Sequence, residues 1–392
     1  MPGKRACLMS HLTYPEAMVV GLIQGATELF PLSSLGHNVL IPALVGGSWA
    51  QDLNVSTPES PYLAFIVGMH VATAIAMIIF FWRDWLRIIG AFFGSLGQFA
   101  RPRPGTVRFQ TQTLYQRLAW MIVLATIPVG IAGLALEHAF RVIFSKPIPT
   151  AIFLAINGLI LFAGERMRRR EADKRNRGTF RSIEDAGPAM AGGRGPAGQG
   201  SGARRPAGVP TGPGGPAVAY GEPAAAGAVA AGPDAGRPRP RGAMAEEIID
   251  PEDPGAAVRA DGRLARRGYL EAFILGAVQI LALLPGISRD GVVMVGGMFR
   301  GLSRADAARF SFLLSAPVIF AAGALKIPDL MGPLGNGIRG QVLVGSILSG
   351  VGAYLALRLF MRWIQNAERT LAPFAVYCLV VGVGSAIYLS IR

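Results

Sequence analysis

The segment 18–46, MVVGLIQGATELFPLSSLGHNVLIPALVG, is apolar at both ends and polar in the middle. Pro31 lacks a backbone N–H and disfavours helix at Phe30, whereas Ser33 and Ser34 are favourable N-cap residues for a second helix. The pattern therefore predicts helix, break, helix. Because each half is too short to cross a hydrocarbon core of about 30 Å, we expect a re-entrant hairpin over residues 15–46.

The polar side chains of this segment lie at the predicted break. Gln24 and Glu28 are four residues apart and share a helix face, and Ser33, Ser34 and His37 follow directly. A carboxylate in an apolar segment is costly, so it normally faces a cavity and has a partner. In one interpretation, Glu28 and His37 pair with each other and only stabilise the hairpin.

Residues 268–300, GYLEAFILGAVQILALLPGISRDGVVMVGGMFR, repeat the pattern. An apolar helix ends at Pro285, Gly286 follows, and Ser288 is a candidate N-cap for a short apolar helix, with Arg289 at the break. Broken helices at matching positions in two halves of a chain indicate an internal repeat with a site between the halves.

The two breaks together predict an anion-binding site. Each restarted helix offers unpaired N–H groups and a positive dipole end at its N-terminus. Arg289 adds a guanidinium, and phosphate is the anion that such a combination binds most often. Beside a phosphate, Glu28 and His37 have the chemistry of an acid/base pair or of metal ligands.

Three motifs carry a resemblance to a known family: Gln24-Gly-Ala-Thr-Glu28, Pro31-Leu-Ser33-Ser34-Leu-Gly-His37 and Pro285-Gly-Ile-Ser288-Arg289. They resemble the undecaprenyl-diphosphate phosphatases of the bacitracin-resistance type, which carry Glu/Gln-x-x-x-Glu, Ser-Ser-x-Gly-His and Pro-Gly-x-Ser-Arg-Ser-x-x-Thr motifs. The resemblance covers both hydrophobic halves and extends past the third motif through GGMFRGLSRADAARFSFLLSAPV.

The resemblance implies hydrolysis of the terminal phosphate of a polyprenyl diphosphate, in the bacterial plasma membrane, for cell-wall synthesis. Arg289 would clamp the diphosphate, and His37 would act as general acid/base. Ser34 or water would attack the phosphorus atom. Glu28 would orient His37 or bind a divalent cation, Mg²⁺ or Ca²⁺. The other implied residues are Ser33, Ser288, Gly286 and Gln24 for the substrate, and Gln24 with Glu28 for the cation.

Two departures from the family pattern follow the third motif. Asp290 stands where the family has serine, and Val293 stands where it has threonine. Two hydroxyl donors are lost and a negative charge is gained beside the predicted phosphate site. In one hypothesis Asp290 replaces the carboxylate missing at Gln24 and binds the cation; in another it pairs with Arg289 and weakens the site.

Composition agrees with a polytopic membrane protein. Of 392 residues 51% are hydrophobic, in several runs of about 20. The net charge of +14 does not predict a nucleic-acid partner, because the basic residues lie in loops between apolar runs, where lipid headgroups and topology account for them. The sequence leaves the oligomeric state open, and a homodimer is one arrangement that it allows.

We therefore predict an all-α membrane fold of two inverted repeats, each a hairpin followed by three transmembrane helices. The predicted spans cover about 62–82, 114–136 and 148–167 in the first repeat, and about 307–326, 341–364 and 372–391 in the second. The first repeat covers 1–167, a disordered Gly/Pro/Ala/Arg-rich linker covers 168–265, and the second repeat covers 266–392 with its hairpin at 268–300. The excess of Lys and Arg on one face makes that face cytoplasmic. The linker is then cytoplasmic, and both termini are extracytoplasmic.

Two other functions compete with hydrolysis. Inverted repeats with broken helices are also a transporter architecture. In this alternative, the chain would move a lipid phosphate across the membrane without cleaving it. A membrane scaffold that recruits partners through its basic linker would explain the linker, but it leaves the polar residues of both hairpins unexplained.

Overall fold

The computed structural model describes residues 12–53, 61–100, 113–139, 146–185, 254–332, 337–366 and 369–392. Regular structure in these ranges is helical. The helices are α1 Tyr14–Leu29, α2 Ser34–Val45, α3 Gly47–Asp52, α4 Pro61–Phe80, α5 Trp82–Ala100, α6 Leu114–Ala139, α7 Pro147–Asp185, α8 Pro254–Ala265, α9 Tyr269–Val278, α10 Arg289–Phe299, α11 Arg304–Met331, α12 Arg339–Gln365 and α13 Ala372–Ile391.

Five helices in the described ranges are long and apolar enough to cross a membrane: α6, α7, α11, α12 and α13. Their apolar stretches fall where the sequence predicts spans. The span predicted at about 62–82 is instead one arm of a bent pair, because α4 and α5 meet at 89° around Phe81. Counting this pair as one crossing gives six candidate spans.

Both segments have the predicted pattern of helix, break and helix, and each break lies at the predicted proline. The residue before each proline is extended, with φ −76° and ψ 147° at Phe30 and φ −77° and ψ 119° at Leu284. In the second hairpin α9 first tightens into a 3₁₀ turn, Gln279–Leu283, before the break. Ser33 caps α2 and Ser288 caps α10, each accepting a hydrogen bond from the N–H three residues on.

Each hairpin packs against a span from the other half of the chain. Helix α1 lies along α12, and α9 lies along α6. A methyl group at Gly21 would collide with the backbone of Gly345, and one at Gly276 would collide with the backbone of Ala125. Small residues allow this close approach of helix backbones, which dispersion forces and lipid exclusion favour in membranes.

Helix α8 corrects the predicted linker. The sequence predicts disorder over residues 254–265, but these residues form a helix with Ala260 and Asp261 fully buried. Arg309 of α11 binds Asp261 through two nitrogens at 2.8 and 3.1 Å and also reaches Asp84 of α5 at 2.8 Å. These ion pairs connect three helices that are distant in sequence, so no local pattern predicts them.

The chain divides into two compact units, Met1–Asp173 with Glu246–Arg392, and Lys174–Ala245. The first contains both hairpins and all five candidate spans. In the second, the structure describes the continuation of α7 to Asp185, which extends beyond the predicted end of the span at 167. Linker residues 186–253 lie outside the described ranges.

Candidate active site

Glu28 lies in the last turn of α1 and is the centre of a buried polar cluster. Its Oε1 accepts a hydrogen bond from Arg289 Nη2 at 2.7 Å. Its Oε2 accepts hydrogen bonds from the Ser34 hydroxyl and, at 3.0 Å, from Gln24 Nε2. The carboxylate of the first hairpin therefore contacts both the serine restarting α2 and the guanidinium starting α10.

The two breaks also contact each other through backbone groups. The Gly286 N–H donates to Ser33 Oγ at 3.2 Å. Asn157 of α7 lies beside both breaks: its Nδ2 donates to the Pro31 carbonyl, and its Oδ1 accepts from the Ser288 N–H, each at 3.0 Å. One amide side chain thus holds a backbone group from each hairpin, and both bonds are buried.

Ser33 has φ 67°, and no other described non-glycine residue has a positive φ. Such a conformation costs about 1–3 kcal/mol and persists only when neighbouring groups enforce it. Here the Ser33 hydroxyl accepts from Gly36 N–H at 3.3 Å in addition to Gly286 N–H. The predicted substrate contact of Ser33 is therefore accompanied by a structural role in which it joins the hairpins.

His37 is buried at the site's edge and does not line the cavity described below. Its Nδ1 lies 2.8 Å from the Ser33 carbonyl oxygen, and its Nε2 lies 2.9 Å from the Tyr377 hydroxyl of α13. The carbonyl only accepts, so Nδ1 carries the hydrogen and Nε2 accepts from Tyr377. The role of His37 as general acid/base stays a prediction, while its contacts are those of a group that holds Ser33.

The imidazole that does contact Glu28 belongs to His70 of α4. Its Nε2 lies 3.3 Å from Glu28 Oε2. His70, Asn157 and Tyr377 were all missed in the sequence, since each is a single polar residue in an apolar span. The rule that a polar side chain in an apolar span needs a partner could have selected these residues as site candidates. The rule does not identify the partner.

A cavity of about 130 Å³ opens at this cluster. This volume suits a headgroup rather than a whole lipid. Arg289 Nε and Gln279 Oε1 are buried without a hydrogen-bond partner among the described residues. Unsatisfied polar atoms at a cavity indicate a ligand or solvent that completes them. The lining residues are Glu28, Ser33, Ser34, Leu35, His70, Val129, Gln279, Ala282, Leu283, Ile287, Ser288, Arg289 and Val318.

The predicted cation ligands have other partners. Gln24 Oε1 accepts from Asn38 at 2.5 Å, and Asp290 Oδ1 accepts from Ser311 and Ser315 of α11 at 2.6 and 2.7 Å. No group of three His, Cys, Asp or Glu residues within the described ranges has the geometry to hold a metal ion. The donor set Glu28, Gln24 and Asp290 thus does not fit a cation held by protein ligands alone, and Mg²⁺ or Ca²⁺ stays a prediction.

Comparison with known proteins identifies the family. The model of the family described as "Bacitracin resistance protein BacA" matches residues 17–187 and 254–384. These two stretches cover most of the first hairpin, the second hairpin and five of the six candidate spans, and they end within α13. The chain belongs to the BacA family. The five apolar helices and the bent pair agree with this membership, and the protein is an integral membrane protein of several apolar helices.

Curated relatives of this BacA-family chain match it over nearly its whole length. A protein of Mycolicibacterium paratuberculosis named "Undecaprenyl-diphosphatase" is 48% identical over 385 residues, covering 98% of this chain and 100% of the relative. "Undecaprenyl-diphosphatase 1" of Frankia casuarinae is 48% identical, covering 95% and 97%. "Undecaprenyl-diphosphatase 2" of Chromobacterium violaceum is 31% identical, covering 94% and 96%. The predicted family resemblance is thereby confirmed.

Proposed function

We propose that this protein is an undecaprenyl-diphosphatase: an integral membrane hydrolase that converts a polyprenyl diphosphate to its monophosphate and inorganic phosphate. The observation that carries the proposal is the convergence of the Ser34 hydroxyl and the Arg289 guanidinium on the two oxygens of Glu28. The cavity at this point is lined by residues of both hairpins. Family membership and the names of full-length relatives supply the substrate class.

The geometry gives each of these residues a role. Glu28 accepts the hydrogen bond of the Ser34 hydroxyl, so it is placed to take the proton when Ser34 Oγ attacks the terminal phosphorus. The bond from phosphorus to the bridging oxygen breaks, and the polyprenyl monophosphate leaves. Water then cleaves the phosphoserine, which releases inorganic phosphate and restores the Ser34 hydroxyl.

Arg289 neutralises charge that develops on the phosphoryl oxygens. Without substrate its Nη2 is bonded to Glu28, and its Nε has no partner among the described residues. A diphosphate in the cavity would compete with Glu28 for the guanidinium. This exchange frees the carboxylate at the moment when it has to accept the Ser34 proton.

The same proposal includes the topology and the location. Two inverted repeats are supported by the reciprocal packing, in which α1 of the first hairpin lies on α12 and α9 of the second lies on α6. We place the protein in the bacterial plasma membrane, with the termini extracytoplasmic and the linker cytoplasmic, because the basic loops lie on the linker's side. Accessibility of a tag at residue 200 to a cytoplasmic protease tests this orientation.

Phosphate release from C55 and shorter polyprenyl diphosphates by purified protein in detergent tests the function, with and without chelator. We expect release of one phosphate per lipid and accumulation of the monophosphate. A purified, folded protein that binds the diphosphate but releases no phosphate would contradict hydrolysis and support the transporter of the same fold. Transfer of fluorescent lipid phosphate across vesicles would then identify transport.

A further inference from the structure

His70 faces the cavity from a helix that belongs to neither hairpin. It lies on α4, its side chain is 23% exposed, and its ring lines the cavity with Ser34, Ser288 and Arg289. Its Nε2 is 3.3 Å from Glu28 Oε2, the oxygen that also accepts the Ser34 hydroxyl. His70 is therefore close to the attacking atom of the proposed reaction.

The neighbours of His70 determine how its ring is protonated. Nδ1 lies 2.8 Å from the Ile66 carbonyl oxygen, and Nε2 faces the Glu28 carboxylate. A neutral imidazole has one donor and one acceptor nitrogen, whereas both of these partners only accept. Hydrogens on both ring nitrogens satisfy both contacts, and the ring then carries a positive charge.

A cationic His70 changes the charge of the cavity. Among the side chains that line the cavity, Glu28 supplies one negative charge, and Arg289 and His70 supply two positive charges on opposite carboxylate oxygens. The surplus positive charge matches an anion that enters the cavity. A cationic His70 would neutralise part of the phosphate charge, which is the role predicted for the divalent cation. Within the described ranges, protein oxygen atoms do not form a site for that cation.

We propose that His70 is a second phosphate-binding residue, which together with Arg289 holds the terminal phosphate of the diphosphate through its Nε2–H. On substrate entry, Nε2–H moves its hydrogen bond from Glu28 to a phosphate oxygen, as Arg289 does. This deepens the proposed function by identifying a third element, α4, in headgroup recognition, and it rests on that function only for the identity of the substrate.

The competing interpretation is that His70 only neutralises a buried carboxylate. In that case its removal destabilises the protein and changes binding solely through Glu28. If His70 contacts the phosphate directly, its removal weakens anion binding even when Glu28 carries no charge. The Glu28→Gln background separates the two interpretations, because a double-mutant cycle isolates the part of an effect that depends on the second residue.

The experiment measures binding of inorganic diphosphate to full-length protein in detergent by calorimetry, for wild type, His70→Gln and His70→Lys. We expect His70→Gln to weaken binding about tenfold or more, since a charged donor is replaced by a neutral one. His70→Lys, which keeps a cation, stays within about threefold of wild type. Ser390→Ala, an exposed position on α13, is the control. Thermal unfolding of each variant shows that it is folded.

Two results would overturn the proposal. One is His70→Gln binding diphosphate as tightly as wild type; the other is a loss of affinity that disappears in the Glu28→Gln background. Should His70→Gln not fold alone, the Glu28→Gln/His70→Gln double variant, which removes both charges of the pair, is compared with Glu28→Gln: an affinity about tenfold lower supports the proposal, and equal affinity contradicts it. Turnover of the lipid is measured separately, so absence of phosphate release by wild type counts against the hydrolase and not against His70.

Discussion

The two hairpins use the same backbone device but differ in the residue that takes a positive φ. At the second break this residue is Gly286, with φ 109°, and at the first it is Ser33, with φ 67°. Glycine adopts such conformations readily, whereas serine does so at a cost. The Ser33 hydroxyl offsets this cost, because it accepts hydrogen bonds from the N–H groups of Gly36 and Gly286. Glycine has no side chain that could accept them.

The hairpins also differ in charge. The first contributes the carboxylate of Glu28 and the hydroxyl of Ser34, and the second contributes the guanidinium of Arg289. Neither set alone contains both a proton acceptor and a cation for phosphate. The site therefore exists only where the two hairpins are in contact. The substitutions below disrupt this contact or its charges.

Arg289→Ala and Glu28→Ala are expected to have the largest effect. Each should lower phosphate release by about 10³-fold, because one removes a transition-state cation and the other the proton acceptor of Ser34. Arg358→Ala, an exposed arginine on α12, is the matched control. Initial rates with polyprenyl diphosphate in detergent measure the loss, and yield from the membrane checks expression.

The stability of these variants sharpens the comparison. Arg289→Ala leaves Glu28 with His70 as its remaining cation, whereas Glu28→Ala leaves two cations facing each other. Breaking a buried pair from one side costs up to about 3–5 kcal/mol, so Glu28→Ala should unfold at a lower temperature than Arg289→Ala. An Arg289→Ala enzyme with a near-wild-type rate would remove the guanidinium from the mechanism.

Asn157→Ala disconnects the hairpins without altering any charge. It removes the donor to the Pro31 carbonyl and the acceptor of the Ser288 N–H. Each buried backbone group left unsatisfied costs about 1–3 kcal/mol. Displacing the breaks by about 1 Å should slow turnover by about 10²-fold. Melting temperature and rate in the same detergent measure both effects.

A second substitution at this position serves as the control. Asn157→Asp keeps the acceptor for the Ser288 N–H, but it replaces the donor to Pro31 with a buried carboxylate that faces the carbonyl oxygen, so it should be no more active than Asn157→Ala. Equal activity of Asn157→Ala and wild type would mean that the breaks stay together through Ser33 and Gly286 alone.

The sequence predicted those parts of the site that follow local rules. Pro31 and Pro285 break their helices through their own covalent geometry, and the serines that follow cap the next helix. Glu28 and Arg289 could be selected because charge in an apolar segment requires a partner. The repeat predicted that the two residues meet at one site, but it did not predict the hydrogen bond between them.

The remaining residues depend on tertiary contacts that leave no local pattern. Asn157 and His70 are isolated polar residues in apolar spans, and only the packing of α7 and α4 brings them to the breaks. Helix α8 looked like linker because its Gly/Ala/Arg composition lacks a strong apolar face. Its buried Asp261 is matched by Arg309, 48 residues away, so the helix depends on a distant partner.

Substitution of Ser33 tests the first difference between the hairpins directly. Ser33→Ala keeps a side chain in the strained conformation and loses the hydroxyl, whereas Ser33→Gly loses the hydroxyl and relieves the strain. The alanine variant should therefore be less stable than the glycine variant by about 1–2 kcal/mol. Chemical denaturation of both proteins in one detergent measures the difference, and an alanine variant as stable as the glycine variant would show that φ at Ser33 carries no cost.

Asp290→Ser should have the smallest effect. Asp290 is buried beside Arg289, but its Oδ1 accepts from Ser311 and Ser315, and its Oδ2 has no partner among the described residues. A serine hydroxyl can join the same hydroxyl network without an unpaired charge, so we expect turnover within about threefold of wild type. Chelator sensitivity, measured in parallel, should not change. Loss of that sensitivity on substitution would establish Asp290 as a cation ligand, and the second hairpin would then supply an acid as well as a guanidinium, which would remove the charge difference between the two breaks.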